Sequence, residues 1–230
     1  MNLAVKVAGL LIITIVPSFA DLVQGSVTGT FTGLSGGTGS GTNKWTYDPG
    51  AFGLLPSSLT FAGNSFGLAS TPLSNIQLGS LTIDNNILTN TNQTRTATLT
   101  PTANFTTPPG NNVPISGSIG VDEVYLLVFD QAINLSNFAD KSGSFSSGGS
   151  TYTVHLDGFY ENGGTDESGG PISTLTVLNG LSATAYLHGD ITAVPDVTTS
   201  AVPEPGSIVL LGTILGLVSF SLRKRNQNPA

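Results

Sequence analysis

The sequence predicts an all-β protein: an antiparallel β-sandwich or jelly-roll-like body, with a cleavable N-terminal signal helix and a single C-terminal transmembrane helix. Three observations favour this architecture. Short segments of alternating apolar and polar residues recur between clusters of Gly, Pro, Asn and Asp, as in packed antiparallel sheets. Only 9% of the residues are charged, and oppositely charged pairs at helical spacing are essentially missing. The chain has no cysteine, so burial and backbone pairing must stabilise the fold.

The N-terminal segment, residues 1–20, has the layout of a secretory signal peptide. Lys6 precedes an apolar run over residues 7–16, and the segment ends on small residues. About ten apolar residues are too few to span a bilayer core of roughly 30 Å, so a membrane-spanning helix is disfavoured. Pro17 would also break a buried helix, which is the alternative for this segment. We expect cleavage after Ala20.

Residues 21–200 follow as one domain, because about 180 residues suffice for a single full hydrophobic core. The Gly/Ser/Thr-rich residues 33–42 contain almost nothing to bury and predict a loop. The rest of the pattern predicts strands at residues 27–31, 45–47, 58–62, 76–83, 95–105, 124–129, 151–159, 175–178 and 183–191.

Two residues and one apolar run predict local features of these strands. Gly79 interrupts the alternation of residues 76–83 and predicts a β-bulge. Pro101 cannot donate to a sheet ladder and predicts an interruption within residues 95–105. The continuous apolar run at residues 124–129 predicts a central strand that is buried on both faces.

The charge of the body restricts its partners. Residues 21–202 contain three basic residues against thirteen acidic ones, which gives a net charge of −10. A strongly acidic body is repelled by polyanions. We therefore expect neither nucleic acid nor an anionic membrane surface as a partner of the body.

The C-terminal segment, residues 201–225, has three parts: a proline-rich entry, an apolar helix and a basic stop. The helix, residues 207–222, would span about 24 Å, which is short of a hydrocarbon core of roughly 30 Å and suits a temporary anchor. The basic stop would keep the tail, residues 226–230, in the cytoplasm and the body outside. The entry residues are Val202, Pro203, Glu204 and Pro205, and the stop residues are Arg223, Lys224 and Arg225.

These C-terminal motifs carry a resemblance. The VPEP sequence, the apolar helix and the final RKR resemble a PEP-CTERM sorting signal, which implies that exosortase, a membrane-embedded protease, recognises the motif and removes the tail. The body resembles the choice-of-anchor K domain of secreted bacterial proteins, common in cyanobacteria, and that family implies no reaction or catalytic residue. The segments that carry this second resemblance are KWTYDPG (44–50), SSLTFAGNSF (57–66), IQLGSLTIDNNIL (76–88), TYTVHLDGF (151–159) and ATAYLHGDIT (183–192).

Few residues of the body offer site chemistry. His155 precedes Asp157 by two positions on a predicted strand, so both would share one face, but a metal site needs a third ligand that the pattern does not identify. A hydrogen-bonded strand histidine is the favoured interpretation of His155 and of His188. The loop at residues 161–170 supplies hard oxygen ligands and is a weak calcium candidate, with a solvated loop as the alternative. Its acidic residues are Glu161, Asp166 and Glu167.

Two classes of function remain. The first is a non-catalytic surface or extracellular-matrix protein, either structural or polysaccharide-binding, without a catalytic residue or a resident cofactor. The alternative is a secreted polysaccharide-active hydrolase that uses carboxylates from different strands. Exposed Trp45 or tyrosine rings would favour binding, whereas a groove with two carboxyl groups would favour the hydrolase. In both cases the partners are the export machinery and an exosortase-type protease, and the body moves from the outer side of the inner membrane to the cell surface or extracellular matrix.

Overall fold

The structure is a computed structural model that describes residues 21–47, 56–86, 93–124, 130–161 and 170–196. These residues form β-strands and one 3₁₀ turn, so the predicted all-β class is confirmed. In these ranges, no helix combines the length and the apolar character needed to cross a bilayer. The predicted signal helix at residues 1–20 and the predicted transmembrane helix at residues 207–222 lie outside the described residues.

The chain divides into two compact units, Met1–Val194 and Pro195–Ala230, and the strands occupy the first unit up to the last residue of the final strand. The strands are β1 (Leu22–Thr32), β2 (Lys44–Tyr47), β3 (Ser57–Gly63), β4 (Ser65–Ser70), β5 (Leu73–Asp84), β6 (Thr94–Thr107), β7 (Asn111–Pro114), β8 (Gly117–Val124), β9 (Asp130–Asn134), β10 (Lys141–Ser147), β11 (Ser150–Tyr160), β12 (Thr174–Val177) and β13 (Ser182–Pro195). The 3₁₀ turn, Ser136–Phe138, lies between β9 and β10.

Two antiparallel sheets build the body. Sheet A has the strand order β12-β9-β8-β6-β1-β4, with β7 also pairing to β6, and sheet B has the order β10-β11-β13-β5-β3-β2. Apolar side chains from both sheets form one buried cluster, which includes Val27 and Leu99 from sheet A and Leu81 and Leu187 from sheet B. One core shared by two facing sheets is the arrangement that the predicted sandwich requires.

The alternation of side chains is clearest in β1 and β6 at the centre of sheet A. The two strands pair continuously from Gly25 opposite Phe105 to Thr32 opposite Thr98. Val27 and the other buried residues of these strands occupy odd-numbered positions, and the even-numbered positions point outward and, apart from Leu22 at the start of β1, are polar. This follows from the two-residue period of a strand.

Pro101 does not interrupt β6, so the predicted interruption is wrong. It pairs with Gly29 of β1 on one edge. On the other edge, β6 pairs with β8 as far as Leu99 and with β7 from Thr102 onward. The Pro101 carbonyl accepts a hydrogen bond from the Ile115 N–H at 2.8 Å, so the Pro101 nitrogen faces this same junction. Since the partner strand changes there, the missing N–H costs no ladder hydrogen bond.

Gly79 lies beside a β-bulge in β5, as predicted. Two adjacent residues of β13 pair with Gly79 and Gln77, which leaves Leu78 as the extra residue of β5. The bulge changes the phase of the strand, so that Leu78 and Leu81 both point into the core although they are three positions apart.

The predicted loop at residues 33–42 joins β1 to β2 and covers the outer edge of sheet B. Thr38 in the loop and Thr46 in β2 exchange two backbone hydrogen bonds, at 2.8 and 2.9 Å. Trp45 and Tyr47, on the opposite side of β2 from Thr46, point into the core. The Trp45 indole N–H donates to the Gly36 carbonyl at 3.0 Å.

The remaining strand predictions divide into confirmed, missed and undescribed segments. The strands predicted at residues 151–159, 175–178 and 183–191 correspond to β11, β12 and β13. Strands β4, β7, β9 and β10 were not predicted, and neither was β8 apart from its last residue. Of the predicted central strand at residues 124–129, Val124 ends β8, and residues 125–129 lie outside the described residues.

Candidate functional site

A polar cleft of about 440 Å³ lies on sheet B. Its walls come from β5, β11 and β13 and from the segments that precede β10 and β12. Three carboxylates line the cleft, and no lysine or arginine is among its lining residues. The lining residues are Ser74, Asn75, Asp140, Asp157, Tyr160, Pro171 and Asp190.

Asn75 ties one wall of the cleft to β13. It has φ 51°, in the left-handed region that asparagine tolerates better than most residues. Its backbone N–H donates to the Asp190 carboxylate at 2.8 Å, and its side-chain oxygen lies 2.6 Å from His188 Nδ1. An amide oxygen only accepts hydrogen bonds, so His188 Nδ1 carries the proton of this pair. These bonds fix the position of Asp190 at the cleft.

His155 lies at the edge of the cleft, between two of its carboxylates. Its Nε2 atom is 3.7 Å from Asp157 Oδ1 and 3.9 Å from Asp140 Oδ1. The prediction that His155 and Asp157 share one face of a strand is confirmed, because both occupy the half-exposed side of β11 while Val154 and Leu156 are buried. When protonated, His155 forms ion pairs with these carboxylates.

His188 is a buried strand histidine, as the sequence favours. Only 2% of it is exposed, and besides the contact with Asn75 its ring lies 5.1 Å from the ring of Tyr160. Its contacts therefore hold the wall of the cleft in place, and its ring is not exposed inside the cleft.

The candidate metal ligands do not converge in the part of the chain that the structure describes. Among those residues, no group of three His, Cys, Asp or Glu side chains is arranged to hold a metal ion. Glu161 is exposed at the end of β11. Asp166 and Glu167 lie outside the described residues, so a calcium ion in this loop stays a prediction.

Trp45 offers no platform for a ligand. The residue is fully buried, and its ring packs against Tyr47 at a centroid distance of 4.7 Å. Tyr47 is also buried, and its hydroxyl donates to the Gln131 amide oxygen at 2.8 Å. Exposure of Trp45 would favour binding, and the structure places this ring in the core instead.

Tyr152 is an ionisable group in a perturbed environment. Burial raises its pKa above the ordinary value of 10.0, and the neighbouring Asp21 carboxylate, which accepts its hydrogen bond, raises the pKa further. The Tyr152 ring stacks on Phe145 at 5.0 Å with an interplanar angle of 7°. This pair joins β10 to β11 and lies on the core side of these strands.

A second depression of about 380 Å³ surrounds Asp84 at the end of β5. The Asp84 carboxylate accepts hydrogen bonds from Ser58 at 3.3 Å and from Ser182 at 2.5 Å. Both of its oxygens therefore serve to hold β3, β5 and β13 together, and the described residues that line the depression include no second carboxylate.

The comparison with known protein families concerns the C-terminal segment. Residues 201–225 match the PEP-CTERM protein-sorting motif. The chain carries a PEP-CTERM sorting signal. This signal marks an exported protein that is processed by exosortase, a membrane enzyme, and is displayed at the cell surface. The match includes the predicted VPEP motif and the basic stop, both of which lie outside the described residues.

No curated protein matches this chain significantly. The resemblance of its body to the choice-of-anchor K domain therefore stays a prediction.

The cleft is the feature that the sequence did not predict as a unit. Its residues Asn75, Asp140 and Asp190 come from distant parts of the chain, and no motif connects them.

Proposed function

We propose that this PEP-CTERM protein is a non-catalytic component of the cell surface or extracellular matrix, and that its β-sandwich binds polysaccharide or has a structural role there. The sorting signal at residues 201–225 carries the proposal, because it determines where the body is delivered. After export, the short apolar segment would hold the body on the outer side of the inner membrane until exosortase removes this segment.

The composition of the body supports a passive extracellular role. It has a net charge of −10 over residues 21–202 and no cysteine that oxidation could crosslink or inactivate. Its interior is a continuous apolar core between two sheets. Because this core stabilises the fold, the residues on the outer faces can vary.

The sorting step is tested by following processing in the exporting host. Glu204→Ala, or deletion of residues 223–225, should block removal of the tail and retain the chain in the membrane fraction. Asn228→Ala, which changes the tail beyond the motif, is the matched control. Mass spectrometry of both chain ends and surface fractionation give the result, and normal processing and display of both altered chains would refute this account of the tail.

The role of the body is tested by binding and by deletion. The processed protein, purified from its host, should be retained by the surface polysaccharide of that host, or a deletion strain should show altered surface architecture or adhesion. Absence of retention removes the binding version of the proposal, and an unchanged deletion strain removes the structural version.

The cleft on sheet B favours a second candidate, a polysaccharide-active hydrolase. Asp140, Asp157 and Asp190 line one cleft although they come from different elements, and glycoside hydrolysis uses such a pair of carboxyl groups. Asp157→Asn and Asp190→Asn would then each abolish the release of reducing sugar. Asp84→Asn, at the second depression, is the control. A wild-type protein that releases no sugar from the polysaccharide it binds would remove this candidate.

A further inference from the structure

The outer face of sheet A carries a regular array of hydroxyl groups on β1, β6 and the start of β8. Every outward residue of β6 from Thr94 to Thr102 is threonine, and so is every outward residue of β1 from Thr28 to Thr32. Ser116 and Ser118 extend the array on the far side of β6. We call these outward residues the threonine face.

The strand register aligns the hydroxyl groups in rows. Thr30 lies opposite Thr100, and the next row joins Thr32, Thr98 and Ser118 across three strands. Neighbouring strands are about 4.8 Å apart, and outward residues of one strand repeat about every 6.8 Å. Because β-branched side chains are restricted at χ1, the threonine hydroxyl groups occupy few positions before any ligand arrives.

Many of these hydroxyl groups are available to a ligand. Those of Thr30, Thr32 and Thr98 make no hydrogen bond within the part of the chain that the structure describes. Elsewhere on the face, the Thr100 and Ser116 hydroxyls lie 2.9 Å apart and bond to each other. The Thr28 hydroxyl accepts a hydrogen bond from the Asn104 amide at 3.1 Å, and the Ser118 hydroxyl accepts one from the Asn137 amide at 2.8 Å. The face therefore combines a few internal bonds that fix its shape with rows of open donors and acceptors.

The charge of the face differs from that of the rest of the protein. The chain has a formal net charge of −7, and three aspartates line the cleft on sheet B. Among the outward residues of β1, β6 and β8 that the structure describes, the single charged one is Asp122, opposite Thr94 at one end of the face. At the margin, the Lys141 ammonium of β10 donates to the Ser116 carbonyl at 2.6 Å. A neutral ligand matches this face, because a polyanion is repelled by the whole chain and a polycation finds no row of carboxylates here.

We propose that the threonine face binds an ordered, insoluble, neutral polysaccharide. The outward residues of these strands include no aromatic ring that could stack on a single sugar. Each hydroxyl contact contributes little on its own, so adhesion needs many contacts at once. A packed polysaccharide surface repeats its own hydroxyl groups and is already rigid, whereas a soluble oligosaccharide loses conformational freedom when it binds.

The proposal rests on the proposed polysaccharide-binding function and names its ligand class and its surface. The experiment uses the processed protein purified from its host and microcrystalline cellulose as the probe. Wild-type protein should be depleted from solution by the cellulose. The double variant Thr30→Val/Thr98→Val keeps shape, stiffness and strand propensity but removes two hydroxyl groups, and should bind about tenfold more weakly.

Thr82→Val/Thr184→Val is the matched control. Thr82 and Thr184 form a cross-strand pair on the outer side of sheet B, with hydroxyl oxygens 3.1 Å apart, and their loss should leave binding within about twofold of wild type. Thermal unfolding of all proteins checks that the fold is kept. Thr98→Lys, which places a long charged side chain in the middle of the face, should abolish binding.

The outcomes separate this inference from the function on which it rests. If the wild-type protein binds the host polysaccharide and the threonine variants retain full affinity for cellulose, binding occurs elsewhere on the protein. The threonine face is then not the site. Wild-type protein that ignores cellulose but binds soluble oligosaccharides or charged polymers also overturns the inference, while the broader function stands. Failure to bind any polysaccharide overturns both.

Discussion

The contact between Phe61 and Gly29 gives a sharp test of how the two sheets pack. Phe61, in β3 of sheet B, is buried, and its ring reaches the backbone of Gly29 in β1 of sheet A. A Cβ atom added at Gly29 would lie 2.3 Å from Phe61 Cδ1 and 2.8 Å from Cε1. The ring cannot move away from Gly29 toward β5, because its far end already contacts Gly79 of that strand. A Cβ added at Gly79 would lie 2.6 Å from Phe61 Cζ.

We therefore expect Gly29→Ala to destabilise the protein although it adds a single methyl group. Overpacking of a core costs about 1–3 kcal/mol, and the upper half of this range applies because the ring is confined on two sides. With a urea m-value of about 1–3 kcal/mol/M, the unfolding midpoint should fall by about 1 M. Adding Phe61→Leu to Gly29→Ala should recover part of the loss, since leucine lacks the ring atoms that clash.

Gly67→Ala is the control, because Gly67 is an exposed residue of β4 with no atom within 4 Å of an added Cβ. That change should leave stability unchanged or raise it by about 0.4–1 kcal/mol, since alanine restricts the unfolded chain. Urea unfolding followed by far-UV circular dichroism measures all four proteins. Equal midpoints for Gly29→Ala and Gly67→Ala, or no recovery in the double variant, would refute the packing argument.

Two further predictions concern buried hydroxyl groups. The pKa of Tyr152 is raised in the folded state, so its stabilising contribution is present below the unfolded pKa of about 10 and is lost as pH rises above it. Urea unfolding from pH 8 to pH 11 should show a smaller alkaline loss for Tyr152→Phe, and an equal loss would contradict this. Tyr47→Phe should cost about 1–2 kcal/mol because it leaves the fully buried Gln131 oxygen without its donor. In the same urea unfolding assay, adding Gln131→Met to Tyr47→Phe should recover stability. Equal stability of all three proteins would show that the hydrogen-bonded pair contributes nothing.

The strands that could be predicted are those in which residue type and burial alternate together. In β6, apolar and threonine residues alternate, and the two-residue period assigns a face to each. The effect of Pro101 was not predictable, because it depends on which strands flank β6 at that residue. β10 was missed because its sequence, KSGSFSS, has little intrinsic strand preference and pairs with the strongly patterned β11.

The cleft could be predicted only in part. His155 and Asp157 are two residues apart on one strand, so their common face follows from local geometry. Asn75 and Asp190 are 115 positions apart, and their hydrogen bond depends on the register between β5 and β13. Gly79 predicts one of the register shifts between these strands, but the second shift, between Gly189 and Ile191, has no recognisable motif.

The sorting signal is the converse case. The match at residues 201–225 depends on the identity and order of the residues, so it can be found without any knowledge of the tertiary structure. The sequence therefore indicates destination more directly than it indicates the chemistry of the body.

The loop at residues 33–42 has a consequence for how copies of the protein can meet at the cell surface. An open edge strand is a template on which a neighbouring copy can add its own strand. The paired backbone bonds between Thr38 and Thr46 already occupy this position on β2. The glycines make this close approach possible: a Cβ at Gly37 would lie 2.2 Å from the Thr46 carbonyl oxygen. A stretch with almost no side chains to bury thus protects this edge of sheet B from strand addition by a second copy.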